Sequence, residues 1–245
     1  MLSIARRTRF AAAVAAAAIT SAGYAAPPMQ LTVNTGAFGK SVDLQPNSVS
    51  AGGVGSYSGV VLGTGGTWQF NYNMTASSGG SAATQAGTFS ISNLSGAEAL
   101  YSIRLALPTS AIPGDMTGLF NGSLTGTLIT QGAGYFRSVE GSPAMWSATT
   151  SSTEVARLFT APMNVVRNSS GATSLGSQSF GGMQPSVPAD EFGTDIAINL
   201  TFVLSANATV SFSSNLGGTG MPIPAPGALA VLGAAGLAAG RRRRR

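Results

Sequence analysis

Asp190, Glu191 and Asp195 form the one acidic cluster of the chain, in the segment Pro188-Ala-Asp-Glu-Phe-Gly-Thr-Asp195. Hard carboxylate oxygens gathered around a glycine turn could hold a calcium ion. Two carboxylates at a suitable separation could instead cleave a glycosidic bond, one acting as acid and the other as base or nucleophile. The plain alternative is an exposed loop leading into a strand. Other familiar hydrolytic chemistry is closed off, because the 245 residues contain neither histidine nor cysteine. That excludes a Ser-His-Asp triad, a cysteine nucleophile, a His-bearing zinc site and a haem histidine ligand. The expected cofactor complement is none, with calcium at the acidic cluster as the one candidate.

Aromatic residues are the other conspicuous group. Trp68 and Trp146, with Tyr57, Tyr72 and Tyr135, could line a sugar-binding face, since aromatic planes stack on carbohydrate rings and keep a polar handle. Trp68 shares an alternating row with Phe70 and is expected in a core. Trp146 sits in a Ser/Thr/Pro-flanked stretch and is the better candidate for exposure. Asn-X-Ser/Thr triplets at Asn73, Asn93, Asn121, Asn168, Asn199 and Asn207 are what chance delivers in a chain this rich in Asn, Ser and Thr.

The elements that would position these groups show a period of two. Trp68, Phe70, Tyr72 and Met74 alternate with polar residues, as do Tyr101, Ile103, Leu105 and Leu107. The clearest run is 195–204, where Ile196, Ile198, Leu200, Phe202 and Leu204 share a face. Phe89 with Ile91, and Val210 with Phe212, add two more. Alternate side chains of a strand point to opposite faces, so each run offers one row to a core. Residues 98–107 also suit a helical period through Ala97, Leu100, Tyr101 and Arg104; the strand is the preferred reading. Gly/Ser/Asn clusters at 50–56, 77–81 and 168–174 read as turns, and Ser205-Ala206-Asn207 as the turn of a hairpin joining the last two strands. The expected fold is all-β, an antiparallel β-sandwich or jelly roll spanning residues 26–220. No disulfide can staple it. No long-period repeat is evident.

The two ends differ from this body. Arg6, Arg7 and Arg9 precede an apolar stretch over 10–19 and a small-residue segment ending near Ala25 and Ala26, the pattern of a secretory signal peptide over 1–25 with a cut between those alanines. At the other end Pro224, Ala225 and Pro226 precede an uncharged Ala/Gly/Leu segment over 227–240, followed by Arg241, Arg242, Arg243, Arg244 and Arg245. As a helix the uncharged segment would be roughly 21 Å long, short against a hydrocarbon core of about 30 Å. Arginine resists entering lipid at roughly 2.5 to 3.5 kcal/mol each, so the five should stay cytoplasmic. Three basic residues lie in the signal and five in the tail, which leaves the body five against all eight acids and a net charge of −3. The basic ends therefore give no reason to expect a nucleic-acid partner.

This terminal order, Pro-x-Pro, short apolar helix and arginine cluster, resembles the PEP-CTERM sorting signal, here over residues 221–245 and with Ala225 where the usual motif has glutamate. The resemblance implies recognition by an exosortase-type membrane protease, in addition to the signal peptidase expected at the other end. It further implies export, transient anchoring in the membrane through the C-terminal helix, then release to the cell surface or medium, and for the class as a whole an association with exopolysaccharide. Two functional readings follow for the body: a non-enzymatic structural or adhesive surface protein, or a secreted carboxylate-dependent enzyme acting on polysaccharide. An uncleaved tail anchor is the alternative fate of the C-terminus. An enzyme should bring two carboxylates together in a cleft, whereas a structural module should leave its acids scattered.

Overall fold

A chain that alternates apolar side chains with hydroxyls and amides can bury its apolar row only by pairing into sheets that face one another. The computed structural model has that architecture; it describes residues 26–36, 38–109, 116–189 and 191–222. The expected signal segment with Ala25, the motif Pro224, Ala225 and Pro226, the cluster Arg241 to Arg245, the segments expected to form the two terminal helices, and Asp190 lie outside the described residues. What is described is nearly all antiparallel β in two sheets. Among the described residues no helix is long and apolar enough to cross a membrane.

In chain order the strands are β1 (Met29–Asn34), β2 (Gly39–Leu44), β3 (Ser48–Val49), β4 (Gly55–Leu62), β5 (Trp68–Gly79), β6 (Ala82–Asn93), β7 (Ala99–Pro108) and β8 (Met116–Thr130). There follow β9 (Gly134–Ser138), β10 (Ala144–Thr150), β11 (Thr153–Thr160), β12 (Asn164–Arg167), β13 (Gly171–Phe180), β14 (Val187–Ala189), β15 (Asp195–Leu204) and β16 (Ala208–Pro222). The first sheet runs β11-β10-β15-β7-β1-β2, with β9 pairing β15 beyond β10 and β12 beside β9. The second runs β13-β8-β16-β6-β5-β4-β3, with β14 pairing β8 beyond β13.

The alternating rows face inward as the sequence predicts. Met29, Leu31 and Val33 of β1, Tyr101 to Leu107 on β7 and Ile196 to Leu204 on β15 supply the first sheet's side of the core. Trp68, Phe70 and Met74 of β5, Phe89 and Ile91 of β6, and Val210, Phe212 and Leu216 of β16 meet them from the second. Phe212 is central: its ring lies 5.5 Å from Phe89, 6.1 Å from Phe136 and 5.9 Å from Phe202 between centroids. The segment from Ala99 is a strand, and the helical period through Leu100 and Arg104 is an accident of composition.

The hairpin expected at Ser205-Ala206-Asn207 is not formed, because β15 and β16 belong to opposite sheets. Both edges of β15 are already occupied, one by β7 and the other by β10 and β9, while β16 lies between β6 and β8. The turn instead carries the chain across the sandwich. Asn207 takes a φ of 53°, and Ser205 is pinned to β9 by backbone and hydroxyl bonds to Tyr135. Next to it the β6-to-β7 crossing is secured by Asn93, which is buried. Its amide nitrogen donates to the carbonyls of Ala97, Leu204 and Ser205 at 2.8, 3.1 and 3.0 Å, and its oxygen accepts from Ser95. One side chain therefore ties two inter-sheet crossings together. The last strand extends to Pro222, two residues past the expected limit of the body, with Met221 opposite Thr117.

Candidate functional site

The acidic cluster does not assemble into a cage among the described residues. Asp195 opens β15 and accepts both carboxylate contacts from Arg104 of β7, at 3.0 and 3.1 Å. Arg104 stands opposite Asn199, four residues along β15 from Asp195, so its stem must cross Ala106 and Ala197. Those two alanines face outward by parity and are nonetheless buried. The glycine between the acids is also engaged: Gly193 N–H donates to the Thr150 hydroxyl at 2.9 Å, and its carbonyl accepts from the Thr109 hydroxyl. A Cβ at Gly193 would overlap the Ser151 side chain, so close approach requires a glycine here. Phe192 turns inward and stacks on Phe120 at 5.4 Å, while Glu191 is exposed. Among the described residues no group of three or more acids could hold a metal ion.

The remaining described acids are dispersed. Glu154 pairs with Arg157 on β11. Glu98 meets Arg137 of β9 at 3.0 Å and accepts a hydrogen bond from the Tyr135 hydroxyl. That hydrogen bond raises the phenol's pKa above its ordinary value, with desolvation and the Glu98 charge adding to it and the Arg137 charge opposing. Arg137 also lies 5.5 Å above the Tyr135 ring centroid. Asp43 and Glu140 are exposed.

The aromatic platform is not formed either. Trp68 is in the core as expected, but so is Trp146, which is only 1% exposed and packs 5.9 Å from Phe180. Its Ser/Thr neighbours misled because Ala144, Trp146, Ala148 and Thr150 form the buried row of β10. Tyr57 is buried with its hydroxyl on the Pro27 carbonyl at 2.6 Å. Tyr72 and Tyr135 are half-buried. The roomier clefts, about 410 Å³ beside the 131–133 and 206–207 turns and about 310 Å³ beside Ser77 and Gly80, are lined by no ionisable side chain.

What the sequence reading missed is a sorting of charge between the sheets. The strands of the second sheet contain no Asp, Glu, Lys or Arg. The charged residues on described strands are Lys40, Asp43, Arg104, Arg137, Glu154, Arg157, Arg167 and Asp195, all in the first sheet. The signal was readable, since 55–93, 116–130, 171–189 and 208–222 hold only one uncharged segment after another. That these segments are neighbours was not.

The register turns their outward residues into ranks. Ser58, Asn73, Thr88, Ser213, Thr125 and Ser177 stand side by side across six strands. The next rank is Val60, Asn71, Ser90, Ser211, Thr127 and Ser174. Strand spacing sets neighbours in a rank about 4.8 Å apart, and successive ranks follow at about 6.8 Å. Several members bond to one another, including Ser92 with Thr209 at 2.8 Å, Asn71 with Ser90 at 3.3 Å and Thr125 with Ser177 at 3.0 Å. Between Asn71, Asn73, Thr88, Ser90 and Ser211 lies a shallow groove of about 160 Å³. Such a face offers donors and acceptors without fixed charge, so a neutral hydroxylated polymer can approach it without stripping water from an ion. No family model matches the chain, and no curated protein matches it in sequence.

Proposed function

We propose that the protein is a non-enzymatic exported surface or matrix protein, delivered by its C-terminal tail and associating with exopolysaccharide through the outer face of the second sheet. The observation that carries the reading is that uncharged face, ranked with hydroxyls and amides and grooved at Ser211 and Asn71. The acids support a non-catalytic body: Glu98, Glu154 and Asp195 each answer an arginine. In this reading residues 221–245 act as a sorting signal for an exosortase-type protease, and Arg241 to Arg245 hold the topology of the helix before them.

Two measurements test the halves separately. Deleting Arg241 to Arg245 should divert the protein to the medium or abolish its processing, read by cell fractionation and intact mass; unchanged localisation and mass refute the sorting half. Pull-down on insoluble cellulose, with anionic alginate beads as the contrast, should retain the protein on the neutral polymer. Ser211→Asp, a charge set in the groove, should release it. Equal retention of parent and variant refutes the binding half.

A further inference from the structure

Among the described strands, β2, β11 and β13 lie at sheet edges and are guarded. Strand β2 carries Lys40 and Asp43, and β11 carries Glu154 and Arg157. Beside β13, Arg167 donates to the Ala172 carbonyl and the Thr173 hydroxyl, and Gln178 accepts the Phe159 N–H. Charge and cover of this kind are how sheets avoid pairing with other chains. Strand β4 has no charged residue. Strand β3 shields only its first residues, pairing Gly55 and Ser56. Along the rest, Val60 is 56% exposed and Leu62 53%.

The backbone of that edge is self-complementary. Gly63 N–H donates to Trp68, so the odd residues of β4 face β5 and the even ones face outward. Two outward groups are capped: Ser58 N–H by the Asn47 amide oxygen at 2.6 Å, and the Leu62 carbonyl by the Lys40 ammonium at 2.7 Å. The Ser58 carbonyl, both backbone groups of Val60 and the Leu62 N–H have no partner among the described residues. A second β4 laid antiparallel about a two-fold axis at Val60 matches all of these. Val60 exchanges both bonds with its own copy, and each Leu62 N–H meets the other chain's Ser58 carbonyl. The two capped groups, Ser58 N–H and the other chain's Leu62 carbonyl, also fall opposite one another, so closing the pair swings the Asn47 amide and the Lys40 ammonium aside and bonds these groups directly.

From this geometry we infer that β4 is a homodimer interface, in which a second copy of this chain adds edge to edge and continues the sheet. The same patch serves both partners, as a two-fold contact requires. Pairing carries the rank through Val60 into the next molecule and doubles the uncharged face. The inference stands on edge geometry alone and survives if the face binds no polysaccharide.

The chain has no cysteine, so single cysteines report the contact cleanly in the full-length protein held in detergent. A hydrogen-bonded antiparallel pair sets Cα atoms about 5.5 Å apart, within disulfide range. Under copper phenanthroline, Val60→Cys should cross-link at least about tenfold faster than Val166→Cys, the advantage of a preformed pair. Val166 is a matched control at the same 56% exposure on β12. Ser58→Cys and Leu62→Cys should each cross-link slowly alone and quickly when mixed, because the register pairs them with one another. Equal rates at 60 and 166 overturn the inference, including when tail association raises both. A mixture of the 58 and 62 variants no faster than either alone overturns the register.

Discussion

The first sheet keeps its outer surface wet with ions, the second with hydroxyls and amides, and the two share one core. On the first, Arg104 spans two buried alanines to reach Asp195, and Arg137 serves both Glu98 and the Tyr135 ring. On the second, Ser, Thr and Asn stand in register over six strands. The contrast teaches that one sandwich can confine its strand-borne charge to one sheet and cover the other with neutral polar groups. A charged face repels other sheets and holds its water; a neutral hydroxylated face can trade water for another hydroxylated surface at little cost in ion desolvation.

The largest effect tests whether the sheets are one cooperative unit at all. Phe212→Ala removes the ring that touches Phe89 on its own sheet and Phe136 and Phe202 on the other. The expected loss is about 4 kcal/mol, with a single denaturant transition monitored by tryptophan, Trp68 lying in one sheet and Trp146 in the other. Two separated transitions would mean that the faces belong to independent units. Asn93→Ala follows at about 3 kcal/mol, because three carbonyls at the inter-sheet crossings lose their donor. A midpoint within experimental error of the parent would refute its role as the tie.

Alkaline titration probes one buried phenol in each sheet. Burial raises the pKa of Tyr101 in the first sheet, and burial likewise raises that of Tyr57 in the second. A raised folded-state pKa means that the associated stability is complete below the unfolded value near 10 and is lost as the pH climbs toward the folded value. Unfolding free energy should therefore fall above about pH 10, by up to about 1.4 kcal/mol per pH unit for each phenol. Tyr101→Phe should shallow that slope; an unchanged slope would remove Tyr101 from the account. The smallest effect separates the faces themselves. Arg104→Ala should cost about 1 kcal/mol at low salt and less in 1 M salt. Ser213→Lys on the neutral face should change stability by less than about 0.5 kcal/mol. A salt-independent loss for Arg104→Ala would mean that packing over Ala106 and Ala197, rather than charge, is what the first face supplies.

Much of the fold was legible in the strands themselves. Runs such as 195–204 and 101–107 alternate so regularly that burial of one row follows from strand geometry alone. The turn at 205–207 was misread because a hairpin and a crossing begin with the same three residues; only the occupied edges of β15 and β16 distinguish them. Trp146 was misread for a related reason, since its polar neighbours face outward while its own parity, shared with Ala148, turns it inward. At the acidic segment the residues were visible, but Arg104, which answers Asp195, lies 91 positions away in sequence.

Composition and period two by themselves determined that this chain forms strands with one apolar row, without disulfides and without histidine chemistry, because those properties are local to each residue and its alternate neighbours. Tertiary structure alone decided that all the charge on described strands falls in one sheet and that six uncharged strands stand in register in the other. It also left most of the outer edge of β4 without a strand partner. Strand order and edge occupancy arise from pairings between residues far apart in the chain, and no local pattern encodes which neighbour arrives.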